Sequence, residues 1–448
     1  MRAIALPACS NAEHAGKEAI VITKGPVDTV LDWNQGCASK GSHEAGFCHP
    51  TATDRLGTYT MRTSRFFAAA VLAAGTSVAA VAAGASPTLV TLQTFKGLLP
   101  AGSYVMFSGV IENNGLLYGS NSFGGTNKSG TLYSVDPVKR VENALYNFSN
   151  NQGAMGELTF YNGNFYGMTQ ATNTGLQAQN LGSLFEFNPA TGSETVLYQF
   201  PENSGGGYLF KGRLIECGSG TFCGVTPNGG DEGAGTVYKI DLATGAETDL
   251  YHFQGGKDGQ NPNGPLLYIN GLLYGTTEFG GSSGYGIVFA IDPTTGVETI
   301  LHSFIGGNDE SDSQTLIYND GTLYGTDSGA DSLGQGSLYA IDPVSGNLTV
   351  LYSFAGGADG SGPVGLAYVN GMLYGTTLAG GASGLGTVFE FNLATGGKTT
   401  LHDFTGKRDG SYPREVMVNN GVLYGTACNC GTGYVGGEYV GTVYKMIP

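Results

Sequence analysis

From Gly264 to Phe304 the chain reads GPLLYINGLLYGTTEFGGSSGYGIVFAIDPTTGVETILHSF. Four short runs rich in apolar, aromatic and β-branched residues alternate with turn residues, the pattern of strands and not of helices. Leu266–Ile269 is strand A, and Asn270-Gly271 is a two-residue hairpin turn leading into strand B, Leu272–Thr277. A Gly-rich stretch through Gly280-Gly281 and Gly284 precedes strand C, Ile287–Ile291. Asp292-Pro293-Thr294-Thr295-Gly296 has Pro and Gly where a turn uses them, and strand D, Glu298–Phe304, follows. Nowhere do apolar residues keep a helical period over ten or more positions.

The unit recurs. Variants of GLLYG start at Gly115, Gly163, Gly220, Gly271, Gly321, Gly371 and Gly421, at offsets of 48, 57, 51, 50, 50 and 50. Four antiparallel strands per repeat of this length describe a propeller blade, because one such sheet has two apolar faces and buries them only against neighbours. A β-helix has shorter coils and lacks repeated hairpin turns. The expected fold class is therefore all-β, a seven-bladed β-propeller. Its blades span about residues 104–148, 153–200, 207–253, 264–304, 314–354, 364–404 and 414–447. The last repeat stops after strand C, at Gly441–Pro448 (GTVYKMIP), whereas Pro87–Phe95 (PTLVTLQTF) resembles a strand D. Thr88–Phe95 is thus expected to complete blade 7 and close the ring.

LYGTTEFGGSSGYGIVF from Leu273, LYGTTLAGGASGLGTVF from Leu373 and SFAGGADGSGP from Ser353 resemble the GloVer tandem repeat. The resemblance extends from about Thr88 to Pro448. It implies an exported bacterial repeat protein and carries no specific activity. Members of that family often bear a C-terminal surface anchor, and a chain ending inside a blade resembles a released form. Kelch propellers have a similar period, but their recurrent Trp is missing.

The N-terminal segment differs from the repeats. MRTSRFFAAAVLAAGTSVAAVAAGASP, from Met61, joins Arg62 and Arg65 to an apolar run and an Ala83-Gly84-Ala85 cleavage pattern before Ser86. That is a signal-peptide pattern, too rich in Gly, Ser and Ala after Ala74 for a strong membrane span. Residues 1–60 are expected to be an unstructured upstream extension of the reading frame, 61–85 a signal peptide and 86–448 the propeller, secreted or periplasmic. Residues 1–85 hold seven Lys+Arg and six Asp+Glu, which leaves 13 basic and 30 acidic residues and a net charge of −17. Such a surface repels phosphate backbones and anionic membranes, so neither is an expected partner. A monomer without a membrane span is expected.

Chemistry is sparse in the repeats. Cys217 and Cys223 flank one predicted hairpin turn and could pair, since an exported chain can keep a disulfide. Cys428 and Cys430 are separated by one residue, and their state is open. Asp258, Asp309, Asp359 and Asp409 lie in D–A connections with GGxDG-like text. They form either an arc of carboxylates for Ca²⁺ or hydroxyl-rich ligands, or turn-forming residues of the scaffold. No other cofactor is expected. The Gly-rich B–C loops lack the Lys-Ser/Thr of a phosphate cradle.

Departures from the repeat are more informative. The Gly of LYG lies 14 residues from the strand C aromatic in five blades, as from Gly275 to Phe289. The spacing is 18 in blade 2, from Gly167 to Phe185, and 19 in blade 7, from Gly425 to Tyr444. These long loops flank blade 1 on the D–A/B–C face. The first carries Asn173, Gln177, Gln179 and Asn180, the second Tyr434, Glu438 and Tyr439. Amides and Tyr stacking surfaces suit carbohydrate, although neutral loop drift produces the same lengths. His252, His302 and His402 all fall near the ends of D strands in separate blades, which excludes a Ser–His–Asp set and a His metal cluster. The expected function is a non-catalytic binding or scaffold propeller acting on glycans or envelope components. A carbohydrate-active hydrolase or lyase using carboxylates on the loop face, and a purely structural surface protein, are the alternatives.

Overall fold

In the computed structural model the described residues are 20–23, 28–31, 87–98, 109–122, 124–149, 152–171, 182–200, 212–306, 313–329, 335–428 and 438–447. The chain divides into two units, Met1–Gly84 and Ala85–Pro448. In the first, Ile20–Thr23 pairs antiparallel with Asp28–Leu31.

The second unit is a seven-bladed β-propeller of four-stranded antiparallel sheets, each ordered A-B-C-D. Blade 4 consists of Gln260–Ile269, Leu272–Phe279, Ile287–Ile291 and Glu298–Ser303. Strand A starts earlier than its apolar run, because Gln260–Asn263 also pairs with strand B before the ladder slips between Asn263 and Leu267. The same break recurs in blade 2 between Met155 and Thr159 and in blade 7 between Pro413 and Val416. Bulges of this kind re-aim side chains. Strands A of successive blades pack against one another, which places them innermost. Among the described residues, no helix is long and apolar enough to cross a membrane.

Local sequence explains these elements. Asn270 and Gly271 have φ of 53° and 88°, the paired left-handed geometry that suits a tight hairpin with strand twist. Asp292 accepts backbone N–H bonds from Thr294 and Thr295 at 2.8 and 3.4 Å and so fixes the C–D turn. At Gly275 a Cβ would lie 2.5 Å from Phe289 Cζ, so the glycine of LYG makes room for the strand C ring.

Those rings join the blades. The Phe ending each strand D packs on the strand C aromatic of the next blade. The pairs are Phe148–Phe185, Phe200–Tyr238, Phe253–Phe289, Phe304–Tyr339, Phe354–Phe389 and Phe404–Tyr444, with ring centroids 5.1–5.7 Å apart. Phe95–Tyr133, at 4.7 Å, is the seventh. The N-terminal strand supplies it: Thr88 pairs with Ile447 and Phe95 with Gly441, as expected, and pairing continues to Leu98 opposite Glu438.

Candidate functional site

The D–A carboxylates are engaged within the scaffold. Asp258 accepts from Tyr251 Oη at 2.5 Å and from the Gln254 N–H at 2.7 Å. Asp359 accepts from Tyr352 Oη, the Ala355 N–H and Lys398 Nζ at 2.8–2.9 Å. Asp409 accepts from the Thr405 N–H and hydroxyl and lies 3.2 Å from His402 Nε2. Burial would raise the Asp409 pKa, but these donors hold it down at about 2. All three carboxylates accept a backbone N–H from four residues upstream, and Asp409 accepts a second from Lys407. Asp309 lies outside the described residues, and no group of three or more His, Cys, Asp or Glu is placed to hold a metal among those described.

Asn173, Gln177, Gln179, Asn180 and Tyr434 also fall outside the described residues. For Glu438 and Tyr439 the backbone alone is described, in the blade 7 ladder opposite Leu98 and Gly97. Cys217 and Cys223 form a disulfide, and Cys428 is disulfide-bonded. His252 sits between Asp231 and Asp249, at 3.0 and 3.1 Å, whereas His302 packs on Phe304. The three histidines belong to three different blades.

A second constellation, not singled out in the sequence, lies on the innermost strands. A buried Val or Leu sits at the same level in, or just before, each strand A: Val110, Leu158, Leu214, Leu266, Leu316, Leu366 and Val416. The residues just before them are Gly109, Glu157, Arg213, Pro265, Thr315, Gly365 and Glu415. Four of these positions are uncharged. The three charged ones fall in blades 7, 2 and 3, with Gly109 of blade 1 between the two glutamates.

The geometry draws this sector together. A Cβ on Gly109 would lie 1.8 Å from Glu157 Oε1 and 3.0 Å from Glu415 Cβ. Only a glycine in blade 1 lets both acidic side chains occupy this place. Glu157 Oε2 is 3.6 Å from Arg213 Nη1, and the two side chains remain 16% and 44% exposed. Burial pushes the Glu415 carboxyl well above the usual carboxylate range, and Glu157 beside it pushes the same way, against Arg213 and Arg414. Burial also raises Glu157, while Arg213 favours its charged form. Tyr444 is fully buried and its hydroxyl meets no hydrogen-bond partner among the described residues; Tyr133 of blade 1 is in the same state. A Cβ on Gly425 would lie 2.4 Å from Tyr444 Oη and one on Gly119 2.4 Å from Tyr133 Oη, so each phenol lies over the LYG glycine of its own blade, as the Phe289 ring does over Gly275.

The sheets, their order and the aromatic ring define the class, a seven-bladed β-propeller closed by its N-terminal strand. Within that class the chain belongs to the Gloeobacter/Verrucomicrobia repeat family, whose model matches residues 77–277 and 162–369. No curated protein matches. Among solved structures the chain is similar to an oligogalacturonate lyase in complex with manganese, at 13% identity over 81% of this chain and 98% of that one, TM-score 0.50. It is also similar to an oligogalacturonate lyase from Vibrio parahaemolyticus, at 10% identity over 81% and 98%, TM-score 0.47. The computationally designed Ika8 protein gives 13% identity over 78% and 98%, TM-score 0.47. Likeness at these identities is a likeness of fold alone.

Proposed function

We propose that the protein is a carbohydrate-binding propeller acting outside the cytoplasm, with its ligand held at the axial cluster of Glu157, Arg213, Arg414 and Glu415. The observation that carries this reading is the break in symmetry. Near-identical blades present near-identical surfaces, which orient no ligand. Here the innermost strands carry Gly, Pro, Thr and Gly in four blades and Glu, Arg and Glu in the other three. Two carboxyl groups, of which Glu415 is held toward its neutral form by burial, stand with two guanidinium groups, and this mix of donors and acceptors suits a hydroxyl-rich ligand. Carboxylates accept from neighbouring hydroxyls, and guanidinium groups donate to their oxygens. Blades 2 and 7, which supply the glutamates, are also those with the long B–C loops. In this reading Asn173, Gln179, Tyr434, Glu438 and Tyr439 add amide and aromatic contacts to the same sugar.

Export is supported by the signal-like pattern from Met61 to Ser86 and by the Cys217–Cys223 disulfide, a bond that persists in oxidising compartments. Protein recovered from its native host should begin near Ser86 on N-terminal sequencing. Residues 1–60 found attached would contradict export.

A glycan array probed with the purified protein tests the binding reading. A neutral oligosaccharide is expected to bind, and Arg213→Gln should weaken it on the order of tenfold or more with unchanged melting. Asp258→Ala and Asp359→Ala should lower stability and leave binding in place. The opposite pattern, with binding lost on the Asp substitutions and kept in Arg213→Gln, would put the ligand on the D–A arc instead.

A further inference from the structure

We propose that Glu298 and Asp258 hold a Ca²⁺ ion at the junction of blades 3 and 4, in the place that the Lys398 ammonium takes at the junction of blades 5 and 6.

The two junctions are built alike. In each, the D–A connection makes one tight turn, Gly256–Asp258 or Gly357–Asp359. The flanking glycines match, with φ and ψ of 72° and −172° at Gly255 against 71° and −170° at Gly356. After the turn they are 94° and 159° at Gly259 against 93° and 162° at Gly360. The carboxylates are held alike too. One oxygen of Asp258 accepts from Tyr251 Oη and the other from the Gln254 N–H, as those of Asp359 do from Tyr352 Oη and the Ala355 N–H. Strand D of the following blade brings one side chain to each turn, from the residue paired with Ile291 in blade 4 and with Phe391 in blade 6.

In blade 6 that side chain is a cation. Lys398 Nζ lies 2.6 Å from the Asp359 carbonyl oxygen, 2.8 Å from Asp359 Oδ1 and 3.0 Å from Thr400 Oγ1, and the side chain is only 4% exposed. The turn thus offers a carbonyl and a carboxylate oxygen to a positive charge in a place closed to bulk solvent. In blade 4 the matching backbone presents the same two oxygens, but the side chain is Glu298. Its Oε1 is shut off from solvent and meets no hydrogen-bond partner among the described residues. A buried carboxylate oxygen without a donor is costly, and more so beside a second carboxylate. At the two preceding junctions the glutamate in this place accepts from a tyrosine, Glu194 from Tyr146 and Glu247 from Tyr198. Here the tyrosine, Tyr251, donates to Asp258 instead.

A glutamate side chain is one bond shorter than a lysine, so an ion on its carboxylate restores the reach of the Lys398 ammonium. The donors are Glu298, Asp258 Oδ1 and the Asp258 carbonyl, and two carboxylates balance a divalent ion. Carboxylate and carbonyl oxygens suit Ca²⁺, Mg²⁺ and Mn²⁺, and of these Ca²⁺ best tolerates an irregular set of ligands. Ile300 stands where blade 6 has Thr400 and adds no oxygen, so water completes the shell on that side. With so few protein ligands the affinity belongs to the weak range of extracellular modules, Kd about 10⁻⁴–10⁻³ M.

The test treats the purified protein with EDTA, measures Ca²⁺ uptake by equilibrium dialysis, and compares melting with and without a few millimolar Ca²⁺. The wild type is expected to take up one ion per chain more than Glu298→Gln or Glu298→Lys. Its melting temperature should rise with Ca²⁺ by about 2–4 °C, and neither variant should show that rise. Glu298→Lys, which carries its own cation, should melt above the wild type in EDTA. Glu194→Gln, at the same place in blade 2, should keep the Ca²⁺ response. A wild type that takes up no more Ca²⁺ than Glu298→Gln overturns the proposal. So does a melting rise that survives in either Glu298 variant, or one that is lost in Glu194→Gln.

Discussion

Glu298 and Lys398 hold the same place, the start of strand D, in blades 4 and 6: Glu298 is paired with Ile291 and Lys398 with Phe391. Lys398 Nζ bonds to Asp359 at 2.8 Å, whereas Glu298 faces the equivalent Asp258. Burial, together with the Asp258 charge, pushes Glu298 up to about 7, and its Oε1 has no hydrogen-bond partner. In blades 2 and 3 burial also raises Glu194 and Glu247, but a bond from Tyr146 and Tyr198 works against the rise. In blade 4 the corresponding hydroxyl, that of Tyr251, goes to Asp258. A pKa raised on folding means that the folded state holds the proton more tightly. The stability this contributes is fully present below the unfolded value near 4.5 and is lost as pH rises through about 7. Glu298→Lys should therefore raise stability at pH 7.5 by roughly 1 kcal/mol, since it turns a repulsion into a partly exposed ion pair. It should also flatten the fall in melting temperature between pH 5 and 7. A variant no more stable than wild type at pH 7.5 would show that Asp258 does not face this position in solution.

At the scale of elements, the closing strand carries the heaviest demand. Thr88–Leu98 supplies the outer strand of blade 7, and Phe95 supplies the seventh aromatic contact to Tyr133. Phe95→Ala should cost about 2–4 kcal/mol in urea unfolding, somewhat below a fully buried Phe because Phe95 is half-buried. Removing residues 86–98 should leave Glu438–Ile447 as an open edge and give aggregates on size exclusion. Reduction of Cys217–Cys223, which closes a span of six residues, should lower stability by about 2 kcal/mol and leave the fold intact. The closure was legible in the sequence because a blade lacking strand D and a stray strand D are complementary. The start of strand A was not legible, because Gln260–Asn263 pairs through its backbone and has no apolar period to betray it. Blade 3 concealed more. Its A–B ladder slips between Glu216 and Gly218, an extra residue in the hairpin that the disulfide spans. Counting back from Gly220 therefore misses Arg213, and the run of charges through blades 7, 2 and 3 does not line up by eye.

For the whole molecule, the repeat dictates the ring, and departures from it point to the site. Hairpin turns, LYG glycines and closing phenylalanines recur because every blade meets the same packing problem, so they were readable one repeat at a time. Glu157, Arg213 and Glu415 are ordinary residues in their own blades and become a cluster only when strands A converge on the axis. The signal that finds them is the buried Val or Leu of each strand A used as a ruler across all seven blades. The most direct test of this account is a crystal structure of the protein with the neutral oligosaccharide it binds best on the array. The predicted result is sugar density against Glu157, Arg213 and Glu415 on the innermost strands. Density on the A–B/C–D face, or on the outer D strands with the axis holding only solvent, would contradict it.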